Sequence, residues 1–140
     1  MSCPKYLNPG ILVVDVNIDG IIVPHTMIYL RVAINVMTKQ TLVNLNLQGA
    51  LRKTTTLLQL SNRATIDPEG VVEDVMVSID SWEYPTDFPI LLPKTKFNGY
   101  LIILGRPWLA TIDSYISYRV GNMTIKNGHL SKNFVLYPLT

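Results

Sequence analysis

Leu101-Ile102-Ile103-Leu104-Gly105-Arg106-Pro107-Trp108-Leu109-Ala110-Thr111-Ile112 is the stretch on which the fold turns. Four apolar residues in succession read as a strand buried on both faces. Gly105 ends that strand. Pro107 suits the first position of a helix, where a missing N–H costs nothing. Trp108, Leu109 and Ile112 then share one side of the helix, because positions spaced i, i+1 and i+4 fall within an arc of about 100° at 3.6 residues per turn. A buried strand therefore runs directly into a short buried helix. On pattern alone this is the strand–helix corner of a small core.

The flanking sequence is built from short strands and turns. Downstream, 114–118 reads as a strand, Gly121-Asn122 as a turn, Met123-Thr124-Ile125 as the returning strand and Asn127-Gly128 as a further turn. Upstream, 71–79 is a long strand, turned at Asp80-Ser81, with its return running from Trp82 to Leu92. Asp67-Pro68-Glu69-Gly70 breaks the chain before it. Residues 54–60 are rich in β-branched side chains and read as a strand, turned at Ser61-Asn62-Arg63 and returning through 64–66. Thr38 is placed to cap a helix over 39–46, with Leu42 and Leu45 toward the core and Gly49 as its stop. Nearest the N-terminus, 11–18 and 21–28 form a hairpin around Asp19-Gly20, a pair that tolerates positive φ. Pro24 cannot donate to a ladder and belongs at an edge or bulge. His25 reads as an ordinary strand-face histidine. The class is all-β with two short helices. The expected organisation is a mobile lead-in at 1–10, one domain over 11–128, and a tail at 129–140 that pairs at a sheet edge or lies free.

Composition excludes several functions. The chain has 140 residues, 48% hydrophobic and 16% charged, with a net charge of +2. Those values describe a globular domain rather than a disordered one. Arg52-Lys53 is the one adjacent basic pair, so no footprint for a phosphate backbone exists and no nucleic-acid partner is expected. No apolar run approaches the roughly 18 residues of a membrane span. Met1-Ser2-Cys3-Pro4-Lys5 carries no apolar secretory core. Cys3 is the lone cysteine and cannot form an internal disulfide, which fits a reducing, intracellular and cytoplasmic setting. His25, His129 and Cys3 have no metal-ligand spacing, and no metal or other cofactor is expected. Asn122-Met123-Thr124 matches a glycosylation sequon, read as chance without secretion. Glu69, Glu73, Asp74 and Asp87 read as solvated strand-face charges.

Ile103-Leu104-Gly105-Arg106-Pro107-Trp108-Leu109 resembles the apolar-apolar-Gly and helix element of retropepsin-like aspartic proteases. It is most similar to the protease domains of gypsy-class retrotransposon polyproteins in plants. The resemblance extends, with gaps, from about Asp15 to Ile125. It implies a retropepsin-like half-barrel in which Ile103, Leu104 and Gly105 thread behind the catalytic loop. It also implies a flap over a peptide groove, with Ser61, Asn62 and Arg63 at its tip. A homodimer and a polyprotein substrate come with the family. The family's catalytic Asp-Thr-Gly, Asp-Ser-Gly or Asp-Leu-Gly-Ala falls on Tyr29-Leu30-Arg31-Val32. Leu30 and the following Ala33-Ile34-Asn35-Val36-Met37 fit that pattern. Tyr29 stands at the Asp, Arg31 at the Gly, and Val32 at a small residue.

These replacements bear on chemistry. An aspartic protease needs two facing carboxylates that share one proton. One activates water while the other, protonated, polarises the scissile carbonyl. Phenols ordinarily lose their proton near pH 10 and are poor bases for activating water. A symmetric dimer of this chain has two phenols at the site and no carboxylate. The family glycine lets the backbone turn tightly. Two copies of Arg31 about 6 Å apart, at an effective dielectric of roughly 20, repel by on the order of 3 kcal/mol. The chain has neither Gly-x-Ser-x-Gly nor a placed Cys–His pair. The expectation is a retrotransposon-derived, aspartic-protease-like domain without catalysis, monomeric or weakly dimeric. The alternatives are an active homodimeric endopeptidase using another carboxylate, or an unrelated small β-barrel interaction module. A strand crossing behind the loop at Tyr29 separates the last from the others.

Overall fold

The computed structural model describes residues 11–29, 32–54, 58–59, 65–66, 68–92, 101–117 and 119–138. The first strand, β1 (Ile11–Ile18), returns as β2 (Ile21–Tyr29) through Asp19 and Gly20, at φ 53° and 82°. That turn is the reason for the Asp-Gly pair. There follow β3 (Val36–Thr38), α1 (Lys39–Asn44), a 3-10 turn (Gln48–Ala50), β4 (Leu58–Gln59) and β5 (Thr65–Ile66). Next come β6 (Gly70–Ile79), β7 (Trp82–Leu91), β8 (Ile102–Leu104) and α2 (Arg106–Thr111). The chain closes with β9 (Ser114–Ser117), β10 (Asn122–Asn127), β11 (Leu130–Val135) and β12 (Tyr137–Pro138).

Seven strands form one sheet in the order β12-β1-β2-β8-β3-β7-β6. β6 also pairs with β1, through Asn17↔Ser78 and Ile18↔Val77, so the sheet closes into a barrel. The three residues of β8 lie parallel to β2 and antiparallel to β3. A strand with a neighbour on each side and a core beneath needs apolar side chains throughout, and Ile102-Ile103-Leu104 supplies them. Ile102 and Leu104 are buried, and Ile103 is half-buried. Leu12, Val16 and Ile18 of β1 face the same interior at a period of two. Val23, Ile28, Met37, Val77, Phe88, Ile90, Trp108 and Ile112 are among the residues that share it. Full burial of each such large side chain is worth about 1.5–3 kcal/mol.

Both long hairpins are interrupted. Between Val14↔Thr26 and Val16↔Val23, β2 carries one residue more than β1, and the extra backbone is Pro24-His25 with His25 at φ 56°. Pro24 thus sits at a bulge, where its missing N–H breaks no ladder bond. Between Val72↔Phe88 and Val75↔Thr86 the extra residue is on β6, and Asp74 stands at φ 57°.

Thr38 caps α1, its Oγ1 accepting from Thr41 N at 3.3 Å. Thr41 Oγ1 in turn accepts from Leu101 N at 2.7 Å, which joins α1 to the segment entering β8. The helix ends at Asn44, two residues earlier than the pattern implies, because Asn46 turns left-handed at φ 57°. α2 begins one residue before Pro107, at Arg106, with Gly105 as its N-cap. Pro107 still lies in the first turn, where backbone N–H groups have no intrahelical acceptor. The hairpin expected over 54–66 is described only at the two residue pairs of β4 and β5.

β9, β10 and β11 form a second antiparallel sheet. It contributes Met123 and Ile125 to the core, and Leu136 between β11 and β12 is fully buried. β12 pairs with the outer edge of β1. Lys132 of β11 bonds Asp80 and lies 5.1 Å above the Trp82 ring, tying this sheet to the tip of the β6–β7 hairpin. No described helix is long and apolar enough to cross a membrane.

Candidate functional site: the loop crossed by β8

The loop between β2 and β3 starts at Tyr29 and ends at Asn35. Its second half is held by backbone bonds. Val32 N donates to Tyr29 O at 3.3 Å, closing a turn, and Val32 O accepts from Arg106 N at 3.0 Å. Asn35 is buried, with 5% exposure, and uses both ends of its amide. Its Oδ1 accepts from Gly105 N at 2.9 Å, and its Nδ2 donates to Asp87 O at 3.4 Å. One side chain therefore joins the loop, the β8–α2 corner and β7. A buried polar group is tolerated when it is satisfied in this way.

Gly105 is required by contact rather than by conformation. Its φ is −98°, an ordinary value. A Cβ there meets Ile34 O at 2.2 Å and Val32 O at 2.6 Å. Both are backbone atoms of the loop, and neither can swing aside. Only a residue without a side chain lets the corner pass this close behind the loop. Ile103 and Leu104, the other members of the apolar-apolar-Gly motif, lie beside Met27 and Ile28 of β2.

The first half of the loop is different. Tyr29 closes β2 and is half-buried, as is Val32. Leu30 and Arg31 lie outside the described residues, and so do Ser61, Asn62 and Arg63. No aspartate or glutamate occurs anywhere in Tyr29-Leu30-Arg31-Val32-Ala33-Ile34-Asn35. Asp15 is exposed on β1, and Asp67 lies outside the described residues. Asp74 lies in the β6 bulge, where its N–H donates to Asp87 Oδ1 at 2.9 Å. The bulge thus brings Asp74 and Asp87 together. Among the described residues, no three His, Cys, Asp or Glu side chains gather as a metal site.

Asn35, expected only as part of the apolar tail, and Asp87, expected only as a strand-face charge, also bridge the loop to β8–α2, β7 and the β6 bulge. The available signal was Asn35 itself, an amide inside the apolar run Ala33-Ile34-Asn35-Val36-Met37. Two further buried polar atoms meet no partner among the described residues, Tyr84 Oη and Trp108 Nε1. Burial pushes the Tyr84 phenol above its usual pKa.

No family model matches the sequence, and no curated protein sequence does. Among solved structures, the retroviral protease-like domain of Ddi1 from Leishmania major is similar, with a TM-score of 0.69 and 16% sequence identity over 91% of this chain and 96% of that one. At this identity the likeness is one of fold. The barrel, the two short helices and the crossing of β8 behind the β2–β3 loop are those of a retropepsin-like domain. A barrel without that crossing strand, the form expected of an unrelated interaction module, is not the one observed.

Proposed function

We propose that this retropepsin-like domain derives from a gypsy-class retrotransposon polyprotein of plants and has lost peptidase activity. The carrying observation is Tyr29. It ends the strand that leads into the loop backed by Gly105, and the mechanism of such a fold requires a proton-sharing carboxylate there. Tyr29, Leu30, Arg31 and Val32 are, in this reading, the remnant of the catalytic loop. A pair of phenols cannot hold the single shared proton of the dyad, nor activate water near neutral pH. Arg31 at a two-fold axis adds repulsion and bulk, so the family homodimer is weak or absent in this chain. Ser61, Asn62 and Arg63 correspond, by resemblance alone, to the flap tip of the family. The setting is cytoplasmic, supported by the lone Cys3, and neither nucleic acid nor membrane is a partner.

The test restores the loop. The wild-type protein is expected to cleave nothing in an unbiased peptide-library digest from acid to neutral pH. In sedimentation it is expected to be monomeric, or a dimer that dissociates at micromolar concentration. Tyr29→Asp alone leaves Arg31 beside the new carboxylate, which pulls its pKa down and opposes proton sharing. Arg31→Gly alone supplies no carboxylate. Tyr29→Asp, Arg31→Gly and Val32→Ala together are expected to yield dimerisation and pepstatin-sensitive cleavage at acid pH. Pepstatin-sensitive cleavage by the wild type overturns the proposal and directs attention to Asp15, Asp67 or Asp74. A folded triple variant that stays monomeric and inert shows that the loss extends beyond this loop.

A further inference from the structure

A groove of about 420 Å³ runs between α2 and β9, bordered by Arg106, Leu109, Ala110, Ser114, Tyr115 and Ile116. We propose that it docks an extended peptide of another protein, added to β9 as a further strand. An apolar side chain of that peptide fills the groove and an acidic one meets Arg106. The groove includes no residue from Tyr29 to Asn35, so this inference stands whether or not that loop is catalytically inert.

The backbone of β9 specifies the conformation of the ligand. β9 is an outer strand of the sheet β11-β10-β9. Lys126 N donates to Asp113 O at 3.2 Å, in the same register as Thr124↔Tyr115 and Asn122↔Ser117. Along an antiparallel strand, successive residues turn their N–H and C=O alternately toward and away from the neighbour. Asp113, Tyr115 and Ser117 therefore turn theirs to β10, and Ser114 and Ile116 turn theirs outward. Among the described residues no strand takes up that outer side, and both residues line the groove. Donors and acceptors repeated at a period of two match an extended backbone, not a helix or a compact small molecule.

Open edges are ordinarily blocked by lysine, proline or a bulge. Two other outer strands follow that rule. β12 carries Pro138, and β11 carries Lys132, which is engaged with Asp80. β9, Ser114-Tyr115-Ile116-Ser117, has neither residue, and its pairing with β10 runs without a bulge.

The groove sets the side chains. Leu109, Ala110 and Ile116 make it apolar. Arg106, one helical turn before Ala110, is exposed. The ion pairs among the described residues are Lys39–Glu69, Arg52–Glu73 and Lys132–Asp80, and Arg106 is in none of them. Its guanidinium suits a carboxylate, which it can hold through two parallel bonds. Residues two apart on an extended peptide share a face. One strand can therefore fill the groove and reach Arg106.

The probe is acetyl-Thr-Glu-Thr-Val-Thr-Glu-Thr-amide, titrated into the whole isotope-labelled protein by NMR. A glutamate on each side of the valine serves either strand direction. Saturable shifts are expected at the amides of Ala110, Ser114 and Ile116, with slowed hydrogen exchange at Ser114 and Ile116. N-methylation of alternate peptide amides is expected to abolish binding in one phase and spare it in the other, because only every second N–H faces β9. Arg106→Gln is expected to weaken the probe about tenfold, the loss of one charge-assisted contact. Glutamine in place of both glutamates is expected to do the same, with no further loss when the two changes are combined. Absence of shifts at millimolar peptide overturns the inference. So does equal tolerance of both N-methylation phases, or unchanged affinity in Arg106→Gln. Protection of Ser114 and Ile116 that rises with protein concentration in the absence of peptide assigns the edge to a second copy of the chain, and likewise overturns it.

Discussion

The loop from Tyr29 to Asn35 has two halves that behave as different kinds of structure. From Val32 to Asn35 the loop is tied at three residues. Val32 O takes the N–H of Arg106, Asn35 bridges Gly105 and β7, and Gly105 has no side chain because Ile34 O and Val32 O occupy its space. Tyr29 is held by backbone alone among the described residues, paired with Ile11 of β1 and accepting from Val32 N. Packing constrains residues 32–35, because a wrong residue there costs folding energy. On the reading proposed above, the Tyr29 end was held instead by chemistry, and a fold keeps the support of a reactive loop after its reactive group is replaced.

The sharpest break of this contrast is Gly105→Ala. The new methyl overlaps two backbone oxygens, and the barrel cannot retreat without opening β8 from β2 and β3. A loss above about 4 kcal/mol is expected in chemical denaturation, or failure to fold. A well-folded variant with a small loss would show that the corner and the loop are not locked together. Asn35→Ala is next. It strips the buried Gly105 N and the half-buried Asp87 O of a partner, at a cost of roughly 2–3 kcal/mol. A loss well below that in the same denaturation series would mean that water takes over both bonds.

Two tyrosines give the smallest effects and sharpen the comparison. The Tyr84 hydroxyl is buried without a partner among the described residues, so Tyr84→Phe is expected to raise stability by about 1 kcal/mol. Its raised pKa adds a pH signature. Below its ordinary value near 10, both folded and unfolded chains keep the proton and the group contributes no slope. Above it the unfolded chain loses the proton first, so stability falls as pH rises. Stability measured across alkaline pH should lose part of this slope in Tyr84→Phe. Tyr29→Phe, at the loop, is expected to change stability by less than about 0.5 kcal/mol. A large loss there would show that Tyr29 has acquired a packing role.

The hairpin turn at Asp19-Gly20, the Thr38 cap and the strand–helix corner were legible in the chain because each depends on neighbours in sequence. Pro24 announced its bulge for the same reason, since it has no N–H to lend. The bulge at Asp74 carried no such mark. Aspartate tolerates left-handed backbone but does not demand it, and the extra residue is visible only when β6 is laid against β7. Asn35 shows the same limit. An amide within an apolar run is unusual, yet its two partners are 70 and 52 residues away.

Local order thus settled which elements form and where they turn. Period-two alternation, turn residues and caps act over a few residues and leave their record in the order of side chains. The identity of the groups at Tyr29, and the absence of a carboxylate from its loop, were likewise decided by the chain alone. Closure of the barrel by β6 against β1, the need for a bare Cα at Gly105, the bridge made by Asn35 and the meeting of Asp74 with Asp87 belong to the tertiary structure. Each depends on distance between segments far apart along the chain, and such distances are set only when the whole core packs at once.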